Sequence, residues 1–436
     1  MSNNTNLTKD QEDANNAFLD FLVSDDNFFV IQGAAGTGKS FLIKYLLETF
    51  YAKYKSYCLL LQKDVQQFDI KITATTNKAV NVIEGFLEPL LQKKKDLSVS
   101  TIFSLLGLKV TNDYKTGKTT LTFNNRHVHH IVSQDGVTPL VFIDEASFIG
   151  EDLHHIIESN LYANLNAKIV YIGDKYQLAP VGQSFSAMDQ LNCKKVELKE
   201  VIRNQGAILD VGTQFRDTVE TGRFNPIKYN LSDVIHVKGS QFKDLIESSF
   251  ADSDWTPNKS KVLAWTNDQV QAYNMHIRTF LGMPEKFQEN EIVITNEFIK
   301  GKNFTRSVDS EVRITRIGYE LVENYGVKGY MIELDYSHVG FMPENYKDAK
   351  KLLKGLAKDK EWKKYFEVKE TWLDLRPIYA SSIHKSQGST YETVFLDLSD
   401  ISKNWNKTDV ARLLYVGITR ASKQVICYGY LSDRYC

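Results

Sequence analysis

Residues 28–47 read FFVIQGAAGTGKSFLIKYLL. A short apolar run ends in Gly33-Ala34-Ala35-Gly36-Thr37-Gly38-Lys39-Ser40, and an apolar helical pattern follows. The octapeptide fits G-x-x-x-x-G-K-[ST] in the strand-to-helix context that motif requires. Glycines let backbone N–H groups converge on phosphate oxygens, and a helix N-terminus adds partial positive charge. The expectation is a nucleotide triphosphate held here, with Lys39 on the β- and γ-phosphates and the Ser40 hydroxyl on Mg²⁺.

Further short apolar runs recur outward from this one: LVFIDEAS (140–147), KIVYIGD (168–174), KVLAWTN (261–267) and ETVFLDL (392–398). Their lack of strict alternation suits strands buried on both faces of a parallel sheet. Helical patterns at Ser40–Phe50 and Leu153–Leu161 alternate with them, which predicts α/β architecture in both halves of the 436-residue chain. Two stretches interrupt the alternation. Residues 108–124 read as a β-hairpin around Lys115-Thr116-Gly117-Lys118. Residues 281–375 read as an inserted β-rich subdomain with one helix, Tyr346–Phe366, that carries eight lysines and sets Ala349, Leu352, Leu353 and Leu356 on one face. Near the C-terminus, ARLLYVGITRAS (411–422) reads as an apolar strand or helix broken by Gly417, with Arg420 beyond it.

The second chemical motif is Ile143-Asp144-Glu145-Ala146-Ser147, at the end of an apolar run. Two adjacent acids at a strand end predict Asp144 on Mg²⁺ and Glu145 on the attacking water. A guanine reader Asn-Lys-x-Asp is missing: the nearest candidate, Asn77-Lys78-Ala79-Val80, lacks the aspartate, which points to ATP. Bulk properties bound the rest. A net charge of −1 means that any nucleic acid must be held by a local positive channel. Cys58, Cys193, Cys427 and Cys436 form no C-x-x-C pair, which argues against a zinc site or disulfide framework and fits a reducing compartment. His127, His129 and His130 have no nearby Cys or carboxylate and read as surface residues. The polar N-terminus and the lack of an apolar run of about 18 residues predict a cytosolic protein without a membrane partner.

The remaining motifs, taken in order, resemble a superfamily 1 helicase of the RecD/Dda branch over nearly the whole chain. LTKDQEDAN (7–15) resembles the adenine-reading motif, making Gln11 the base contact. ATTNKAV (74–80) resembles the motif gripping single-stranded DNA, with Thr76 on a phosphate, Asn77 beside it and Ala79 in packing. STIFSLLGL (100–108) places Phe103 where the family usually has histidine, either stacked on a base or packed on the domain; Thr75 stands where the family usually has proline. GDKYQLAPVG (173–182) supplies Gln177 to the γ-phosphate, and LKEVIRN (198–204) supplies Arg203 to the nucleotide. VLAWTNDQVQAYN (262–274) brings Thr266 and Asn267 to DNA; SSIHKSQGSTYETVFLDL (381–398) brings Ser382 and His384 to DNA and Gly388 to the nucleotide. LLYVGITRA (413–421) is the final motif, and its Arg420 is implied to be an arginine finger.

The resemblance implies two RecA-like P-loop motor domains. Motor domain 1 would take residues 1–106 and 129–205, and motor domain 2 residues 206–280 and 376–436. A pin hairpin at 107–128 and an SH3-like tower at 281–375 would be inserted. Phe123 would be the pin aromatic, against the alternative that the hairpin only packs on the motor domain with Phe123 in its small core. The implied activity is ATP- and Mg²⁺-dependent 5′→3′ movement on single-stranded DNA with unwinding of forked duplex. The implied setting is phage replication, recombination or repair in a bacterial host cytoplasm, as a monomer working with a single-stranded-DNA-binding protein or replisome components. A 3′→5′ motor and an ATP-switched remodelling protein without unwinding stay open as alternatives.

Overall fold

In the computed structural model of this chain, all residues are described except 1–6, 95–96, 124–135, 163–166, 181–182, 184, 202–205, 301–304 and 436. The first sheet forms from the apolar runs nearest the N-terminus. Six parallel strands lie in the order Leu97–Thr101, Gln67–Ala74, Val137–Asp144, Lys168–Gly173, Phe28–Gly33 and Lys194–Leu198. The strand Lys168–Gly173 is buried at every position, as expected of a central strand covered on both faces. Lys39–Leu61 covers one face, placing Leu42, Leu46 and Phe50 against Phe18, Phe29 and Phe142. Because all strands run the same way, Gly33, Asp144 and Gly173 end at one edge of the sheet, where open α/β folds bind ligands.

A second parallel sheet is built from the later runs, in the order Ala380–Ser382, Ser260–Ala264, Tyr391–Asp397, Ala421–Tyr428 and Val234–Val237. Segment 281–375 contributes most of a six-stranded sheet, antiparallel throughout, running from Val322–Asn324 to Leu375–Pro377. Chain contacts divide the molecule into two units: residues 1–109, 123–228 and 406–419, and residues 110–122, 229–405 and 420–436. These limits differ from the sequence boundaries at 205/206 and within 376–436. The helix Ala207–Thr221 packs along Lys407–Thr419, which carries both into the first unit.

Two local expectations are corrected. Gly417 does not break its segment: Lys407–Thr419 is one helix with Val410 through Ile418 all buried, and the strand starts only at Ala421. A single glycine costs a helix only about 1 kcal/mol, which burial of the whole segment outweighs. The long helix at 346–366 is in fact two, Tyr346–Lys358 and Trp362–Thr371. Lys360 at φ 56° is left-handed and turns the chain between them. The apolar face holds: Ala349 is buried, with Leu352, Leu353 and Leu356 packed on the same cluster.

The hairpin comprises Leu108–Asn112 and Thr119–Phe123. Its turn is closed by Asp113, whose carboxylate accepts from the Lys115 amide (2.8 Å) and the Thr116 hydroxyl (2.6 Å), interactions that hold it below the usual carboxylate range. The tip packs on the helix Trp362–Thr371. Asn112 donates to Glu370, the rings of Tyr114 and Phe366 meet edge-on at 5.7 Å, and Gly117 lies against Trp362. The Phe123 side chain lies outside the described residues.

Gly117 is required twice, by its φ of +72° and by a Trp362 ring that an added Cβ would meet at 2.5 Å. Gly117→Ala should therefore lower unfolding stability by about 1–3 kcal/mol, read by urea denaturation. Trp362→Ala should recover part of that loss in the double variant; an unchanged midpoint for Gly117→Ala contradicts the packing.

Candidate functional site

The P-loop joins the strand Phe28–Gly33 to the helix beginning at Lys39. Gly36 and Gly38 take φ of 83° and 81°, left-handed values that turn successive N–H groups inward. The Lys39 ammonium donates to the carbonyls of Gly33 (2.7 Å) and Ala34 (3.1 Å), so it lies along the loop. Thr37, almost wholly buried, donates its hydroxyl to the Ala34 carbonyl at 2.9 Å. Ala35 is half-buried and its amide donates to the Tyr415 hydroxyl at 2.8 Å. Ser40 is exposed on the first helical turn.

Gln11 is completely buried. It closes a capping box with Thr8 and donates its side-chain amide to the Thr37 carbonyl at 3.3 Å. The structure thus joins Gln11 to the P-loop, whereas the sequence resemblance gave it a base to read. Asp10 on the same helix accepts from the amides of Lys199 (2.8 Å) and Glu200 (3.0 Å), tying down the segment before Arg203. Arg203 itself lies outside the described residues, as do His127, His129 and His130.

Asp144 ends its strand with one carboxylate oxygen accepting from the Glu145 amide at 2.9 Å. Burial pushes its pKa up, against the lowering effects of that N–H and of Lys39. Glu145 takes φ 52° and ψ 39°, a left-handed backbone that costs a non-glycine residue about 1–2 kcal/mol. Such strain recurs at functional positions. The neighbouring strand is followed directly by Asp174, completely buried, with one oxygen accepting from the Tyr176 amide (3.0 Å) and the other from the Tyr415 hydroxyl (2.6 Å). Gln177 is buried in the same turn, its amide bonded to the Asp174 carbonyl at 3.1 Å. Lys175 and Tyr176 anchor this turn to Glu197 and Glu220.

A magnesium ion needs hard oxygen ligands beside phosphate. Asp144, a desolvated carboxylate facing the P-loop lysine, and the exposed Ser40 hydroxyl supply that donor set. Among the described residues no cluster of three or more His, Cys, Asp or Glu offers another metal site, and no helix is long and apolar enough to cross a membrane.

The DNA candidates fall into two sets. In the first unit Thr76, Asn77 and Phe103 follow the strands 67–74 and 97–101, which are paired at Ala74 and Thr101. Thr76 and Asn77 are exposed, and the Thr76 oxygen caps its helix by accepting from the Ala79 amide at 3.2 Å. Phe103 is half-buried against the core cluster of Ile102 and Ala146, which favours its packing role. In the second unit Ser382 ends one of two strands paired at Ala264 and Ser382, and Thr266, Asn267 and His384 follow them. Asn267 and His384 are exposed, while Ser382 is buried and caps the Lys385 amide at 3.4 Å. Thr266 gives its hydroxyl proton to Asp400 at 2.8 Å, which leaves it no proton for a DNA phosphate.

Arg420 and Gly388 lie at the opposite, amino end of this second sheet, ahead of the strands at 421 and 391. Arg420 is 7% exposed. It donates one bond, to the Ser389 carbonyl at 3.2 Å, and its buried Nε has no partner among the described residues. The structural salt bridge that could have explained this arginine does not form there: no described carboxylate pairs with it.

Asp174 and Tyr415 were not singled out from sequence. An acid directly after a buried strand beside the P-loop was a usable signal for Asp174. Tyr415 sits in an apolar run and carries no local signal at all.

A P-loop and a strand-end acid pair at the carboxyl edge of a parallel sheet define a nucleotide-hydrolysing class. Residues 6–225 match the family described as AAA domain, and residues 377–428 match the UvrD-like helicase C-terminal domain. The first match spans just over half the chain, which therefore belongs to the AAA-domain family and, with its UvrD-like helicase C-terminal segment, is a superfamily 1 helicase, an ATP-dependent class. The ATP-dependent DNA helicase dda of Enterobacteria phage T4 is 24% identical over 476 residues, covering 96% of this chain and 98% of that protein. Protein R530 of Acanthamoeba polyphaga mimivirus is 24% identical over 510 residues, with the same coverage of 96% and 98%. The crystal structure of a Bacteroides Pif1 helicase with ADP-AlF3 and ssDNA shares the fold at a TM-score of 0.51 and 16% identity, covering 99% of this chain and 94% of that one.

Lys39→Ala should abolish ATP hydrolysis while binding of DNA without nucleotide survives, measured by phosphate release and filter binding. Glu145→Gln should bind ATP and stall before cleavage; single-turnover hydrolysis at the wild-type rate would assign the water to another residue.

Proposed function

We propose that this chain couples ATP hydrolysis to 5′→3′ movement along single-stranded DNA and opens forked duplex as it moves. The observation that carries the proposal is Arg420. A guanidinium this buried, with no carboxylate partner among the described residues, calls for an anion. The phosphates of ATP bound at Gly33–Ser40 are the anion that best fits a helicase of this type. Arg420 would then act as the arginine finger, stabilising charge on the transferring phosphoryl group.

The other roles follow from chemistry already described. The P-loop amides and Lys39 hold the triphosphate, while Ser40 and Asp144 would hold Mg²⁺, which supplies charge neutralisation. Glu145 orients and deprotonates water. Gln177, Arg203 and Gly388 contact the nucleotide, and Gln11 supports the loop. Thr76 and Asn77 in one unit, and Asn267 and His384 in the other, contact the DNA backbone. Contacts of that kind fix position without reading bases, so little sequence preference is expected. The hairpin acts as the strand-splitting pin, and its seat on Trp362–Thr371 supports a rigid element there. The 5′→3′ sense, action as a monomer and cooperation with a single-stranded-DNA-binding protein or replisome components rest on the family resemblance.

Duplexes with opposite single-stranded tails test the proposal. With ATP, the 5′-tailed substrate should open and the 3′-tailed one should not. Opening of the 3′-tailed duplex alone reverses the polarity, and hydrolysis without opening of either makes the chain a remodelling ATPase. Arg420→Ala should keep ATP binding and lose about 10³–10⁵-fold in turnover; near-normal turnover ends the finger assignment. Phe123→Ala should slow strand separation and spare DNA-stimulated hydrolysis, and wild-type rates of both would end the pin assignment.

A further inference from the structure

One P-loop amide is engaged by a side chain 380 residues further along the chain: Ala35 donates to the Tyr415 hydroxyl at 2.8 Å. We propose that the Tyr415 hydroxyl acts as a phosphate surrogate, competing with the triphosphate for the Ala35 amide and passing the outcome to Asp174. The proposal rests on Gly33–Ser40 being the ATP site.

The direction of each bond is fixed by chemistry. A carboxylate accepts only, so the single tyrosine proton goes to Asp174, at 2.6 Å. That leaves the oxygen lone pairs facing the Ala35 N–H, the same acceptor character that a phosphate oxygen presents. Asp174 is held in turn by the Tyr176 amide at 3.0 Å and is completely buried, so it has little freedom to turn away. The Tyr415 ring is 2% exposed and meets the Tyr176 ring edge-on at 6.1 Å, so the hydroxyl is aimed rather than wandering.

Two consequences follow. A triphosphate that takes the Ala35 amide displaces Tyr415 from it, while the bond of the tyrosine to Asp174 remains. The turn of Asp174, Lys175, Tyr176 and Gln177 then registers whether the amide is taken, through one hydroxyl. Tyr415 is therefore a positioning residue: it acts on the nucleotide through Ala35 and on Gln177 through Asp174. Its helix, Lys407–Thr419, ends directly before Arg420, so the same helix joins this contact to the proposed finger in sequence.

Tyr415→Phe removes the oxygen and keeps the ring. Without DNA, its dissociation constant for Mg·ATP, measured with a fluorescent ATP analogue and competition by ATP, should fall about three- to tenfold, the size expected of one net hydrogen bond. General damage to the fold would weaken binding, so the sign separates competition from a structural role. An unchanged or raised dissociation constant overturns the proposal. Failure of the wild-type protein to bind Mg·ATP would overturn the ATP-site reading instead. Hydrogen exchange on the wild-type protein is independent of any variant. The Ala35 amide should be protected without added nucleotide, and rapid exchange there overturns the proposal.

Discussion

A guanidinium cannot give up its proton, and it is expensive to bury without an opposite charge. Arg420 is held 7% exposed with, among the described residues, one carbonyl oxygen as hydrogen-bond partner. Everything that gives this fold chemical direction relates to such charges at the ends of strands. In the first sheet Lys39 and the desolvated Asp144 gather at the carboxyl edge, together with a strained Glu145. The second sheet carries Arg420 at its amino edge. The first arrangement suits binding of nucleotide, and the proposed finger role would give the second a part in its cleavage.

The two parallel sheets repeat one local device, on which the proposed DNA contacts rest. In each, the edge pair of strands ends in a loop that opens a helix under a threonine cap: Thr76 in one and Thr266 in the other. Exposed Asn77 and Asn267 occupy the first helical position of each. Helix N-termini favour phosphate through their free N–H groups and partial charge. The repeated placement supports the proposed backbone contact at both sites, with the Thr266 hydroxyl proton committed to Asp400.

Much of this was legible in sequence because it is local. The runs FFVIQ, LVFID and KIVYIG are short, apolar and bounded, and each became a strand of the first sheet. The P-loop and the Asp144-Glu145 pair are contiguous motifs with fixed chemistry. Gly417 was misread because its helix is stabilised by tertiary burial that a local pattern does not contain. The break at Lys360 follows from one left-handed residue that carries no glycine signal. The Thr266–Asp400 and Tyr415–Asp174 bonds join residues 134 and 241 positions apart, beyond any periodicity. The contact units differ from the sequence boundaries for the same reason: two helices nearly two hundred residues apart pack together.

The most direct measurement is a crystal structure of the protein with ADP, magnesium and fluoroaluminate, which mimics the phosphoryl group in flight. The Arg420 guanidinium should lie within hydrogen-bond distance of a fluoride, with Glu145 on the attacking water. A guanidinium still resting on the Ser389 carbonyl, with no anion in reach, would contradict it.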